Sequence, residues 1–418
     1  MNAAHKPLAG RSKSRLAASR QSGFSLVEIL VGLLIGLIGI LVIFQVFAVS
    51  EGQKRTTESG SDAQQNGTFA LYTLERAIRS AGQNILGTND PSVMQVLLGC
   101  TANAYNGAGL PAFPIVPVLI TAGAVAGASD TITAISGSAS GLSNPVSLTA
   151  SAATGGADTG VVAVSSVFGF NAGAMTGDFV ITAQSGKVAP QVNCTVSRIT
   201  AVTPDVLPAP GLVPAGTGTI THEFGAAPTA SPFNTAFAVG YLTDATVFNI
   251  GPSPVLLQFS VAPAPAVNNQ FQLQATDLLG RTAAPAVLAD GIVNMQAQYG
   301  IDTSDPQDDV IDSWQPPTLA WASGVLTRPQ ITQIKAIRIG IVTRSGLFEK
   351  PDPTSGCSAT TSALAPNPLP ALPTAIPAKP AGQAMDTTGM PNWRCYRYRT
   401  YETVIPIRNA VLSDVKPL

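Results

Sequence analysis

Five aspartates crowd one short stretch of this chain: Asp302, Asp305, Asp308, Asp309 and Asp312. Carboxylates at that density are hard oxygen donors of the kind that hold Ca²⁺. The spacing does not match a calcium loop of the helix–loop–helix type, Pro306 interrupts it and the turn glycine is missing. Solvated turn acids are therefore the ordinary reading, and no metal is assigned. A second cluster, Trp393, Arg394, Tyr396, Arg397, Tyr398, Arg399 and Tyr401, interleaves cations with aromatics. Such a run can engage phosphates and stack on bases. It can equally make cross-strand pairs and cation–π contacts, which is the preferred reading, with nucleic acid kept as the alternative partner. Catalysis finds no support: His222 is the one histidine past residue 23, and there is no HExxH, no GxSxG and no glycine-rich phosphate loop. Neither enzymatic activity nor a cofactor is expected.

The third candidate is a single carboxylate. Gly23-Phe24-Ser25-Leu26-Val27-Glu28 opens an apolar run that reaches Val49. A charge within a bilayer core costs on the order of 2.5–3.5 kcal/mol on insertion scales, so Glu28 must gain a partner somewhere. The elements around it are plain. Residues 1–22 carry Lys6, Arg11, Lys13, Arg15 and Arg20 and no acid, which keeps such a leader cytoplasmic. Residues 24–49 are enough for about 39 Å of helix, more than a hydrocarbon core of about 30 Å needs. This run is too long for the apolar part of an ordinary secretory signal, despite the small-x-small site at Ala48-Val49-Ser50. Residues 50–82 read as its helical continuation, with Leu71, Leu74, Ile78 and Ala81 as an apolar stripe, Gly60 and Gly67 as weak points, and Gly82 as the stop.

Residues 83–289 read as many short strands separated by Gly, Pro, Asn and Ser clusters: Ile115–Thr121, Asp130–Ile135, Val161–Val167, Asp178–Ala183, Val192–Ile199, Val239–Ile250, Val255–Val261 and Phe271–Gln274. Only nine charged residues fall between 81 and 275, so a neutral Ser/Thr-coated surface is expected there, with contact to other subunits or a substrate as the alternative. The formal net charge of −1 gives no global field for nucleic acid. In residues 290–418, Ala336–Ser345 alternates like a half-buried strand, 362–381 is a Pro/Ala-rich loop, and Tyr401–Asn409 is a closing strand with Pro406 marking an edge. Cys100, Cys194, Cys357 and Cys395 are even in number and have no CxxC spacing. Disulfides are expected, with Cys100–Cys194 and Cys357–Cys395 preferred among three pairings.

The N-terminal block resembles that of type IV pilins and type II secretion pseudopilins: Gly23 before the cut, Phe24 as new N-terminus and Glu28 as the fifth mature residue. Gln45 stands where a proline is often found, and the leader is longer than in many pilins. The resemblance implies cleavage after Gly23 by a prepilin peptidase, N-methylation of Phe24, and pairing of Glu28 with a neighbour's N-terminal ammonium. Ser129-Asp-Thr-Ile-Thr, Gln298-Tyr-Gly-Ile-Asp302, Ile337-Arg-Ile-Gly-Ile-Val-Thr-Arg-Ser345 and Pro406-Ile-Arg-Asn409 look like the PilW family of minor pilins. That resemblance, over residues 20–85 and about 285–412, implies an α+β, pilin-like fold in which a long N-terminal helix packs on an enlarged antiparallel β-rich head. It implies an inner-membrane subunit with its head in the periplasm, later part of the pilus. Its partners would be other minor pilins, the major pilin and the inner-membrane assembly platform. It implies pilus priming at the tip, twitching motility and attachment. The alternatives are a J-type pseudopilin, a tip adhesin and a DNA-uptake subunit.

Overall fold

A computed structural model describes residues 23–85, 97–104, 112–124, 128–139, 144–153, 159–173, 176–184, 193–204, 218–222, 237, 240–263, 270–280, 284–349, 356–357 and 392–412. The leader, Val192, Val239 and the segment 362–381 lie outside these. The chain forms two compact units, 1–55 and 56–418. Helix α1 (Leu26–Ser80) supplies residues to both. Among the described residues its first unit is helix from Leu26 on, preceded by three non-helical residues, and is exposed at every position from Gly23 to Lys54.

The second unit is the head. Its strands in chain order are β1 (Thr101–Asn103), β2 (Phe113–Pro114), β3 (Val118–Thr121), β4 (Thr131–Ser136) and β5 (Val146–Ser147). Next come β6 (Val161–Val164), β7 (Phe179–Ala183), β8 (Asn193–Pro204), β9 (Gly218–His222) and β10 (Thr246–Gly251). The rest are β11 (Val255–Pro263), β12 (Phe271–Asp277), β13 (Ala286–Asp290), β14 (Ile292–Ile301), β15 (Ser313–Gln315), β16 (Ile334–Arg344) and β17 (Tyr398–Pro406). Two short helices, α2 (Arg328–Gln333) and α3 (Arg408–Leu412), flank β16 and follow β17.

Three sheets result. Strands β15-β14-β16-β17 make a four-stranded antiparallel sheet and β13-β12-β11-β4-β3 a five-stranded one. The eight-stranded sheet runs β2-β1-β8-β7-β10-β5 with β6 and β9 paired off it. It contains the one parallel pair among the described residues, β1 with β8. The C-terminal half of α1 and the first two sheets share one core: Ala70, Leu74, Ile78 and Ala81 meet Ile337, Ile339, Ile341 and Ile405 from the four-stranded sheet, and Ile120, Ile132, Phe259 and Leu273 from the five-stranded one. Thus β3, β4, β11 and β12, which fall within residues 83–289, are built into the same core as residues 290–412.

Strand β4 leads out of this core, and β11 returns to it directly opposite, with Val255 registered on Ser136. Everything between, including β5 to β10, is an insertion whose two ends touch: the Ser138 amide donates to Ile250 O at 2.8 Å, and the Ser253 amide to Ser138 Oγ at 2.7 Å. The insertion carries its own core around Val164, Ile199, Ile220 and Tyr241.

Strand β16 departs from the half-buried alternation expected of it. Every residue from Ile334 to Arg344 is buried. Its odd positions face α1, and its even face is closed by Val293, Phe271 and Tyr398 around Val342. Arg338 is buried because it pairs with Glu402 on β17, and Arg344 because its guanidinium stacks 4.2 Å from the Tyr396 ring centroid. Strand β17 lies at the sheet end as Pro406 requires, but pairing stops at Pro406 and the chain turns into α3.

Candidate functional site

The N-terminal segment presents its chemistry without cover. Phe24 is 80% exposed, and Leu26 to Val49 offer apolar side chains on every side of the helix. Residues Leu26–Lys54 are long and apolar enough to cross a membrane. The first turn closes on Ser25, whose carbonyl accepts from the Glu28 and Ile29 amides at 3.0 and 3.2 Å. Glu28 sits in that first turn, where a carboxylate suits the partial positive charge of the helix N-terminus. Among the described residues it has no ion-pair partner. Gln45, at the position often held by proline, leaves the helix unbroken.

The C-terminal half of α1 seats on the head through a stripe that differs from the one read off the sequence. The buried positions are Ala63, Gly67, Ala70, Leu74, Ile78 and Ala81, whereas Leu71 is only half-buried. Small residues dominate because the helix passes close to β16 and β17. A Cβ on Gly67 would lie 2.7 Å from Tyr401 Cε2 and 2.9 Å from Thr343 Cγ2. Gly67 is therefore a packing site, not a weak point. The signal was present as small residues at helical spacing, but a count of large apolar side chains overlooks it. The end of the helix is fixed from the far terminus: Asn409 Nδ2 donates to Ala81 O at 2.9 Å. Gly82 and Asn84 then take left-handed backbone angles of 77° and 59°.

The segments that carry the resemblance in the sequence are joints in the fold. Asp130 ties the two core sheets, accepting from the Gly123 amide at 3.1 Å and from the Ala297 amide at 3.0 Å. Ser129 Oγ accepts from the Met295 amide at 3.0 Å. The Tyr299 hydroxyl accepts from the Ile120 amide at 2.6 Å and donates to the same residue's carbonyl; burial pushes its phenol up.

The aspartates do not converge on a common point. Asp302 is fully buried and accepts from the amides of Ser304, Asp308 and Asp309 at 2.9, 2.9 and 2.7 Å. Burial pushes its carboxyl up, but these amides outweigh it and hold it below the usual value. Asp312 accepts from Thr303 N and Oγ1, and Asp309 pairs with the buried Lys335 at 3.0 Å. Among the described residues no three His, Cys, Asp or Glu side chains are grouped so as to hold a metal. The Arg/Tyr run is likewise drawn into packing: Arg397 pairs with Glu349, Arg394 lies 5.1 Å from the Trp393 ring centroid, and Tyr401 covers Gly67. His222 is buried against Phe237, with ring centroids 4.6 Å apart. The cysteines form Cys100–Cys194, joining the residue before β1 to β8 across 94 residues, and Cys357–Cys395 across 38.

An exposed apolar helix opening on a carboxylate, followed by a helix seat on an antiparallel sheet, defines the class of type IV pilins. Two family models match: the prokaryotic N-terminal methylation motif over residues 18–44, and type IV pilus-assembly protein W over 259–409. The chain is a PilW-like minor pilin acting in type IV pilus assembly, anchored in the inner membrane and then part of the pilus. The second match begins within β11, on the return from the insertion. No curated protein and no solved structure matches.

Proposed function

We propose that the chain is cut after Gly23, methylated at Phe24, and drawn into the filament by Glu28 pairing with the N-terminal ammonium of an adjacent pilin. The carrying observation is the exposed Glu28 carboxylate, without an ion-pair partner among the described residues, at the head of an apolar helix. A desolvated charge demands a partner, and a single paired charge in an apolar seam also sets register. The basic leader supports a cytoplasmic N-terminus and a periplasmic head. The insertion between β4 and β11 makes the head bulky, which favours the pilus tip over the shaft. There the subunit would prime polymerisation with other minor pilins, the major pilin and the assembly platform, and thereby support twitching and attachment. The role is structural, with no reaction assigned. The test is a Glu28→Ala strain: pili should become rare at unchanged subunit level, and pili of normal number and length refute the assembly role of this carboxylate.

A further inference from the structure

The exposed face of α1 opposite its seat ends in a groove of about 510 Å³ walled by Tyr72, Glu75, Arg76 and Arg79 on the helix and by Arg408 with Asn409 on α3. Arg79 is neutralised by Glu75 at 2.6 Å. Among the described residues neither Arg76 nor Arg408 has a carboxylate partner, although both are exposed. The groove thus holds two guanidiniums in excess. Leading into it along the same helix face are two aromatics turned to solvent, Phe69 at 53% and Tyr72 at 61% exposure. The spacing 69, 72, 76, 79 keeps all four on one side of a 3.6-residue helix. Asn409 holds the end of α1, but Phe69, Tyr72, Arg76 and Arg408 belong neither to the core nor to that cap, so packing does not account for them.

From this juxtaposition we propose that the groove is a docking surface for an acidic segment on the head of a neighbouring pilin subunit, with carboxylates meeting Arg76 and Arg408 and apolar atoms lying on Phe69 and Tyr72. Exposed aromatics beside arginine are the residue types enriched at the energetic centre of protein interfaces. Arginine's planar fork suits bidentate capture of a carboxylate. Nucleic acid is the weaker occupant: non-specific duplex binding draws on several phosphate contacts, about 6–10 in strong cases, whereas among the described residues this groove offers two cations without a carboxylate partner and contains Glu75. The proposal rests on the pilin reading but not on Glu28.

The test places a photo-cross-linking amino acid at Tyr72 in the full-length chain, in piliated cells. The expected product joins this chain to another pilin through a peptide rich in Asp or Glu. Arg76→Glu with Arg408→Glu should lower the yield about tenfold or more, while Arg76→Lys with Arg408→Lys retains most of it. Both positions are exposed, so subunit level should not change; should the reversed pair fail to accumulate, Arg76→Ala alone carries the same expectation in weaker form. The product is read in the membrane fraction, so it reports the groove whether or not Glu28→Ala blocks filament growth. A yield indifferent to charge reversal, or no pilin product, overturns the proposal. So does charge reversal that leaves the pilin product intact while abolishing retention of DNA by the cells, because nucleic acid is then the occupant.

Discussion

The seat of α1 can be tested with two alanines on the same helix. Gly60 and Gly67 are both helical, seven residues apart, and replacing either gains helix propensity of about 1 kcal/mol, chiefly because alanine has less freedom to lose from the unfolded chain. Their surroundings differ. A Cβ at Gly60 meets nothing nearer than Arg399 Nη2 at 3.9 Å, whereas at Gly67 it falls 2.7 and 2.8 Å from two Tyr401 ring carbons and 2.9 Å from Thr343 Cγ2. Carbon pairs are at ease near 3.5–4.0 Å, so helix and sheet must part by most of an ångström. Thr343 is fully buried and cannot yield. Overpacking of this kind costs about 1–3 kcal/mol, which matches or exceeds the propensity gain. Gly60→Ala should therefore stabilise the head by about 1 kcal/mol, and Gly67→Ala should leave it unchanged or weaker by up to about 2 kcal/mol. The steric term is the difference between the two, and urea midpoints of the detergent-solubilised full chain measure it. Equal midpoints for the two variants would falsify the close seat, however both compare with the parent.

Tyr299→Phe should cost about 1–3 kcal/mol in the same assay, because it strands the buried Ile120 amide. Cys100→Ala with Cys194→Ala should lower the urea midpoint more than the Cys357/Cys395 pair does, since it opens a loop of 94 residues instead of 38 and leaves two fully buried gaps. Asp302 titrates below the ordinary 3.8 in the folded head, so its contribution is complete above that value and is lost as pH falls through the lower folded one. Asp302→Asn should accordingly lower stability at neutral pH and flatten its decline below about pH 4, and melting at graded pH reads both effects. Calcium should leave the melting temperature unchanged; a rise that disappears in Asp302→Asn would restore the aspartate loop as a metal site.

What could be read from the sequence follows the strength of local pattern. The apolar run from Phe24, the turn glycine Gly82 and the strands around Ile132, Ile181, Phe259 and Leu273 announce themselves because each is a dense periodic signal bounded by breakers. Strands β1, β2, β5 and β9, of two to five residues, do not, since each is too short to show a period of its own. Position Leu71 misled because its period is right but its phase is half a step off the true stripe, which small residues carry. Strand β16 misled because Arg338 and Arg344 look like a solvent face, and only the fold shows Glu402 and Tyr396 waiting for them. The groove at Arg76 and Arg408 was out of reach altogether: its two walls are more than three hundred residues apart in sequence.

The position of the insertion explains how so large a head can coexist with an ordinary pilin seat. Strands β4 and β11 are hydrogen-bonded neighbours, and the chain leaves at Ser136 and returns at Val255 opposite it. Closing a loop of any length between two such points adds only a logarithmic entropic term, and the register of the core sheet need not change. The added strands bury their own apolar residues, Tyr241 and Ile220 among them, so they ask little of the seat. They are fastened to it where β1 pairs with β8 and Cys100 bonds Cys194, and by a shared apolar layer in which Ile181, Val196 and Phe248 meet Ile85, Ile115 and Leu256. Assembly surfaces and inserted surface are thus separable in the fold. The α1 stripe, the joints at Asp130 and Tyr299 and the Arg76 groove lie outside residues 137–254, so the surface of the charge-poor strands β5 to β10 can change without altering them.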